Sequence, residues 1–111
     1  MSITNFTQYQ RAVIRTAPPK EIFKDALNIA ALGITGEGGE LANKIKKMLY
    51  HGHDLDPEEL LEEIGDVLWY LAFLAETLDT DLCEIANANI EKLYRRYPDG
   101  FSYEASRERV E

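Results

Sequence analysis

The sequence predicts an all-α domain, and three observations predict it. Helix-forming residues dominate while runs of β-branched residues are absent. Two long segments carry apolar residues at the period of a helix rather than of a strand. The breaks between segments hold proline, glycine and capping residues where helices start and stop. With 111 residues and 45% hydrophobic content, the chain can bury one modest core, so a single domain over 1–111 is expected.

Residues 3–17 read as a first helix, with Phe6, Tyr9, Gln10 and Val13 at helical spacing and Pro18-Pro19 ending it. It is expected to cover the core rather than carry chemistry. From Lys20 to Tyr50 an apolar stripe runs through Leu27, Ala30, Ala31, Ile34, Leu41, Ile45, Met48 and Leu49. It persists despite Gly33, Gly36, Gly38 and Gly39, each of which costs about 1 kcal/mol against alanine in a helix interior. One long helix is expected, a break at Gly36 being the alternative. Gly38 lies on the stripe, where another backbone could approach, while Gly33 and Gly36 leave the acidic side open.

His51-Gly52-His53-Asp54 ends that helix; with no partners at zinc-like spacing, the imidazoles read as meeting the last carbonyls rather than a metal. Asp56-Pro57-Glu58-Glu59 is a helix start, with a cap, proline at the first position and glutamate three residues on. The third helix, Pro57 to about Leu78, carries the stripe Leu60, Leu61, Ile64, Val67, Leu68, Leu71, Ala75 and Leu78. Trp69 and Phe73 make a second apolar face, expected to be a homo-oligomeric interface. Thr80 or Asp81 caps a fourth helix reaching about Tyr97, before Pro98-Asp99-Gly100. Its stripe is Leu82, Ile85, Ala86, Leu93 and Tyr97, with Asn89 in the middle, an amide that needs a carbonyl or a ligand as partner. Phe101 to Glu111 forms a short extra helix or wraps a neighbouring subunit.

Two acidic pairs stand out, Glu37-x-x-Glu40 and Glu63-x-x-Asp66. Acids three apart share one helix face and can share a cation. At about 100° per residue, Glu37 and Glu40 fall about 70° and 130° to one side of their stripe, and Glu63 and Asp66 about 90° and 150° to the same side of theirs. If the two helices pack antiparallel through their stripes, a local two-fold sends both pairs to one side of the seam. Four carboxylates then face each other, and converging carboxylates call for a cation. Glu58 and Glu62 point away from the stripe and read as solvent-facing. An oxygen-only donor set suits Mg²⁺, with Mn²⁺ as the alternative, better than zinc or iron. Such sites are typical of phosphate chemistry, in which one carboxylate orients or deprotonates the attacking water. Lys44 and Lys47 face the acidic side, and Lys92 stands on the shoulder of the fourth stripe, where a groove of acids needs a cation for phosphate.

A net charge of −8 argues against a partner that is a nucleic acid polymer or an anionic membrane, though not against a small phosphorylated substrate carried with metal. The single cysteine, Cys83, makes no intrachain disulfide and reads as a small, half-buried residue. No signal peptide or membrane-spanning stretch is visible, and a reducing cytoplasm is the expected compartment.

The two acidic pairs, separated by about 22 residues, resemble the signature of the MazG-like all-α nucleoside triphosphate pyrophosphohydrolases. The flanking stretches 32–41, 45–53, 62–71, 88–93 and 96–101 extend the resemblance over about 27–101. It implies an antiparallel four-helix bundle-like domain with its core in about 20–101, oligomeric as a homodimer or homotetramer. It also implies Mg²⁺-dependent hydrolysis of a (deoxy)nucleoside triphosphate to monophosphate and pyrophosphate, as in nucleotide-pool house-cleaning. Glu37, Glu40, Glu63 and Asp66 carry over as metal ligands, one of them assisting the water. Tyr70, one turn beyond Asp66, matches a nucleotide-contacting position, and Asn89 and Lys92 match polar positions that contact sugar or phosphate. A phosphoribosyl-ATP pyrophosphohydrolase and a non-enzymatic helical interaction module are the alternatives.

Overall fold

A computed structural model of the chain describes residues 2–19 and 22–108. Five helices follow one another, α1 (Phe6–Thr16), α2 (Phe23–Tyr50), α3 (Pro57–Thr77), α4 (Leu82–Arg96) and α5 (Tyr103–Glu108), with no β-strand among the described residues. The expected start of the second segment at Lys20 and the last residues of the tail lie outside the described residues.

Local chemistry sets the boundaries. Asn5 caps α1 by accepting the Gln8 N–H at 2.8 Å, so the helix begins later than position 3. α2 is continuous through its glycines and ends in a turn in which the N–H groups of His51 and His53 both donate to the Lys47 carbonyl, at 3.0 and 3.2 Å. Gly52 occupies the left-handed region at φ 72° and makes that turn possible. Backbone groups therefore close this helix, not the imidazoles. Asp56 caps α3 through the Glu58 N–H, with Pro57 in the first turn. Of the two candidates before α4, Asp81 is the cap, accepting from the Cys83 N–H at 2.7 Å.

α2 and α3 form an antiparallel pair: Lys44 meets Glu63 near the connecting loop, and Gly33 meets Tyr70 a few turns away. A Cβ on Gly33 would overlap the Tyr70 ring, whereas nothing lies within 4 Å of one on Gly38. The close approach thus occurs at Gly33, and it admits a side chain rather than a backbone.

α1 lies across α3. Gln10, buried in the contact, donates to Glu76 and to the Thr80 carbonyl, each at 2.9 Å, and accepts from the Leu82 N–H at 2.7 Å. Thr7 adds bonds to Asp81. The Trp69 indole donates to the Thr16 hydroxyl at 2.8 Å and stacks on Phe73 with ring centroids 5.6 Å apart. The Trp69 and Phe73 face is therefore covered by α1 and is not the free face that the sequence predicted.

The buried apolar residues are Val13, Ala26, Ala30, Ala72, Phe73, Ala75 and Leu82, mostly alanines, which let helices approach closely but bury little area each. Much of the expected stripe stays open: Leu49 is 67% exposed, Leu61 64% and Ile64 51%. Asn89 is likewise exposed. α4 is held through its first turn, where Leu82 is buried, while Ile85 and Asn89 of its predicted stripe stay exposed and Ala86 and Leu93 are half-buried. Among the described residues no helix is long and apolar enough to cross a membrane.

Candidate metal centre

The seam between α2 and α3 brings together acids from both helices. Glu37, Glu63 and Asp66 each offer a carboxylate oxygen within 4.8 Å of the others. Glu63 is buried, Glu37 half-buried and Asp66 exposed, so the cluster runs from the helix interface outward. Glu40 is exposed and lies outside this group of three, although its carboxyl interacts with that of Glu63 and its charge reaches Glu37. Glu58 and Glu62 are exposed, as their positions on the helix wheel required.

Each acid responds to its setting. Burial raises the Glu37 carboxyl above its ordinary value, and the nearness of Glu63 and the charges of Glu40 and Asp66 raise it further. Glu63 moves the other way, because a hydrogen bond from the Lys44 ammonium outweighs the cost of its burial. That bond, at 2.9 Å to Oε1, is also an ion pair and raises Lys44 in turn. Glu63 Oε2 is buried without a hydrogen-bond partner. A buried carboxylate oxygen with nothing to accept from is costly, and a cation among the three acids would satisfy it. The donor set is all oxygen, as a hard divalent ion requires. These acids could hold such an ion.

The remaining candidates are placed less uniformly. Tyr70 sits in the α2–α3 seam against Gly33, half-buried, with its ring edge-on to Trp69 at 5.0 Å. Lys47 is half-buried, and no hydrogen bond joins it to the acids. Lys92 is half-buried and Asn89 exposed on α4, which packs against α1 and α3; neither is hydrogen-bonded to the acidic cluster within the chain. Sequence reasoning missed the pairing of Lys44 with Glu63, although Lys44 follows Glu40 by four residues and so shares its face. It also missed Tyr9, whose phenol is raised by burial and then by the charge of Asp66.

Residues 27–101 match the MazG nucleotide pyrophosphohydrolase domain. The chain belongs to the MazG family. All the acids of the centre fall within the matched segment, as do Lys44, Tyr70 and the polar positions of α4. The Gene 37 protein of Mycobacterium phage L5 is a relative of this MazG chain, 39% identical over 80 residues, which cover 68% of this chain and 70% of that protein. No solved structure matches the chain significantly.

Proposed function

We propose that this MazG-family chain is a Mg²⁺-dependent nucleoside triphosphate pyrophosphohydrolase, converting a (d)NTP and water to the (d)NMP and pyrophosphate. The observation that carries the reading is the convergence of Glu37, Glu63 and Asp66, with a buried Glu63 oxygen left unpaired. Together with Glu40 at the margin, these acids are the ligand set, and one of them also orients the attacking water and accepts its proton. A bound Mg²⁺, or Mn²⁺ in its place, neutralises phosphate charge and acidifies bound water. Tyr70 borders the groove as a contact for the nucleoside. Lys44 and Lys47 stand on the acidic side of α2, and Asn89 and Lys92 on α4, as contacts for phosphate or sugar.

The uncovered leucine and isoleucine side chains of α2 and α3 favour a homodimer or homotetramer. A cytoplasmic setting, where nucleoside triphosphates meet Mg²⁺, fits this chemistry, and neither a nucleic acid polymer nor a membrane is needed as partner.

The test is release of pyrophosphate across a panel of standard and modified (d)NTPs and phosphoribosyl-ATP, with and without Mg²⁺. Mg²⁺-dependent formation of monophosphate and pyrophosphate in equal amounts is expected, and it disappears in Asp66→Asn. Release of orthophosphate, preference for phosphoribosyl-ATP, or full activity in a folded Asp66→Asn protein overturns the reading.

A further inference from the structure

The two oxygens of Glu63 have different fates. Oε1 accepts the Lys44 ammonium at 2.9 Å, while Oε2 is buried and has no hydrogen-bond partner. The side chain of Glu63 is only 9% exposed, so the carboxylate has little room to rotate and exchange the two. Lys44 is a third exposed and reaches in along its stem from α2, the helix that also carries Glu37. The oxygen that Lys44 holds has a lone pair engaged and an ammonium beside it, which disfavours that oxygen as a ligand for a cation placed among Glu37, Glu63 and Asp66.

From this we infer that Lys44 determines which divalent ion the centre accepts, by limiting Glu63 to a single ligand oxygen. This rests on the reading of the acids as a metal centre. Mg²⁺ demands a tight octahedron and takes carboxylates through one oxygen, keeping several waters. Ca²⁺ is larger, takes more oxygens and gains from carboxylates that grip it with both. A Glu63 held by Lys44 serves the first ion and denies the second its extra ligand. Lys44 is a positioning residue in this role. The charge of the ammonium repels both ions alike, so charge alone does not favour one over the other.

The experiment measures binding of Mg²⁺ and of Ca²⁺ to the whole chain without nucleotide, each by displacement of spin-active Mn²⁺, in the native protein and in Lys44→Met. Circular dichroism checks the fold of the variant. The ratio of Mg²⁺ to Ca²⁺ affinity is expected to fall about tenfold or more in Lys44→Met, within the range that loss of a partner behind a ligand produces. Loss of charge alone, or general loosening of the fold, moves both affinities by one factor; an unchanged ratio therefore overturns the inference. A second measurement uses the native chain, in which the ¹⁵N resonance of the Lys44 ammonium, held by Glu63, is expected to persist at saturating Mg²⁺. Its loss on adding Mg²⁺ overturns the inference without any variant. A native chain that binds neither ion removes the metal-centre reading itself, and the inference with it, an outcome distinct from a chain that binds both with no role for Lys44.

Discussion

Glu63 is held between opposing demands. Burial penalises its charge, the Lys44 ammonium retains it, and one oxygen is left without a partner. Glu63→Gln keeps the shape and the acceptor for Lys44 while removing the charge that a cation needs. Divalent-ion binding and pyrophosphate release are expected to fall by about 100-fold or more, beyond what loss of a mere supporting partner costs, with the helical circular dichroism unchanged. Glu62→Gln, one residue away and exposed, is expected to alter neither. The difference between these neighbours was legible in the sequence, because 100° per residue separates the side of the seam from the solvent side. The looser position of Glu40 was not. A helix wheel gives directions about one axis, whereas the distance from Glu40 to the other acids depends on how α2 and α3 cross.

Among the elements, α2 shows how glycine can serve opposite ends within one helix. At Gly33 the missing side chain makes room for the Tyr70 ring, while at Gly36 an added Cβ meets nothing within 4 Å. Gly36→Ala is therefore expected to stabilise the fold by up to about 1 kcal/mol through helix propensity. Gly33→Ala gains the same propensity but overpacks the seam, for a net loss of about 1–2 kcal/mol. Urea midpoints of the two variants would shift in opposite directions. The placement of α1 depends on Gln10, whose amide serves Glu76, the Thr80 carbonyl and the Leu82 N–H. Gln10→Leu strands these groups and is expected to cost about 2–4 kcal/mol, read as a lowered thermal midpoint. Helix boundaries were legible because caps act over a few residues: Asp56-Pro57 and Asp81 announce their helices locally. The cover that α1 gives Trp69 and Phe73 was not, since the bonds that dock it join residues 53 to 74 positions apart.

At the scale of the molecule, the radius of gyration is 17.1 Å, against about 13 Å for a compact domain of this length. The chain is extended because α2, at 28 residues, outruns the small alanine-rich core, leaving Leu32 and Leu49 exposed along it. Sequence periodicity marked Leu49, though not Leu32, as core-facing, and within one chain neither side chain is covered. The apolar side chains that α3 leaves free are not Trp69 and Phe73 but Leu61 and Ile64, which stand more than half exposed. If a second copy covers the face of Leu61 and Ile64, light scattering during size exclusion gives at least twice the mass of one 12.7 kDa chain. Leu61→Asp then reduces it to that of a single chain. Leu61 is 64% exposed, so the substitution removes little packing within one chain, and circular dichroism checks that the helix persists. A native chain that elutes at the mass of one copy across the micromolar range, or a Leu61→Asp variant that assembles as before, removes this face as the site of assembly.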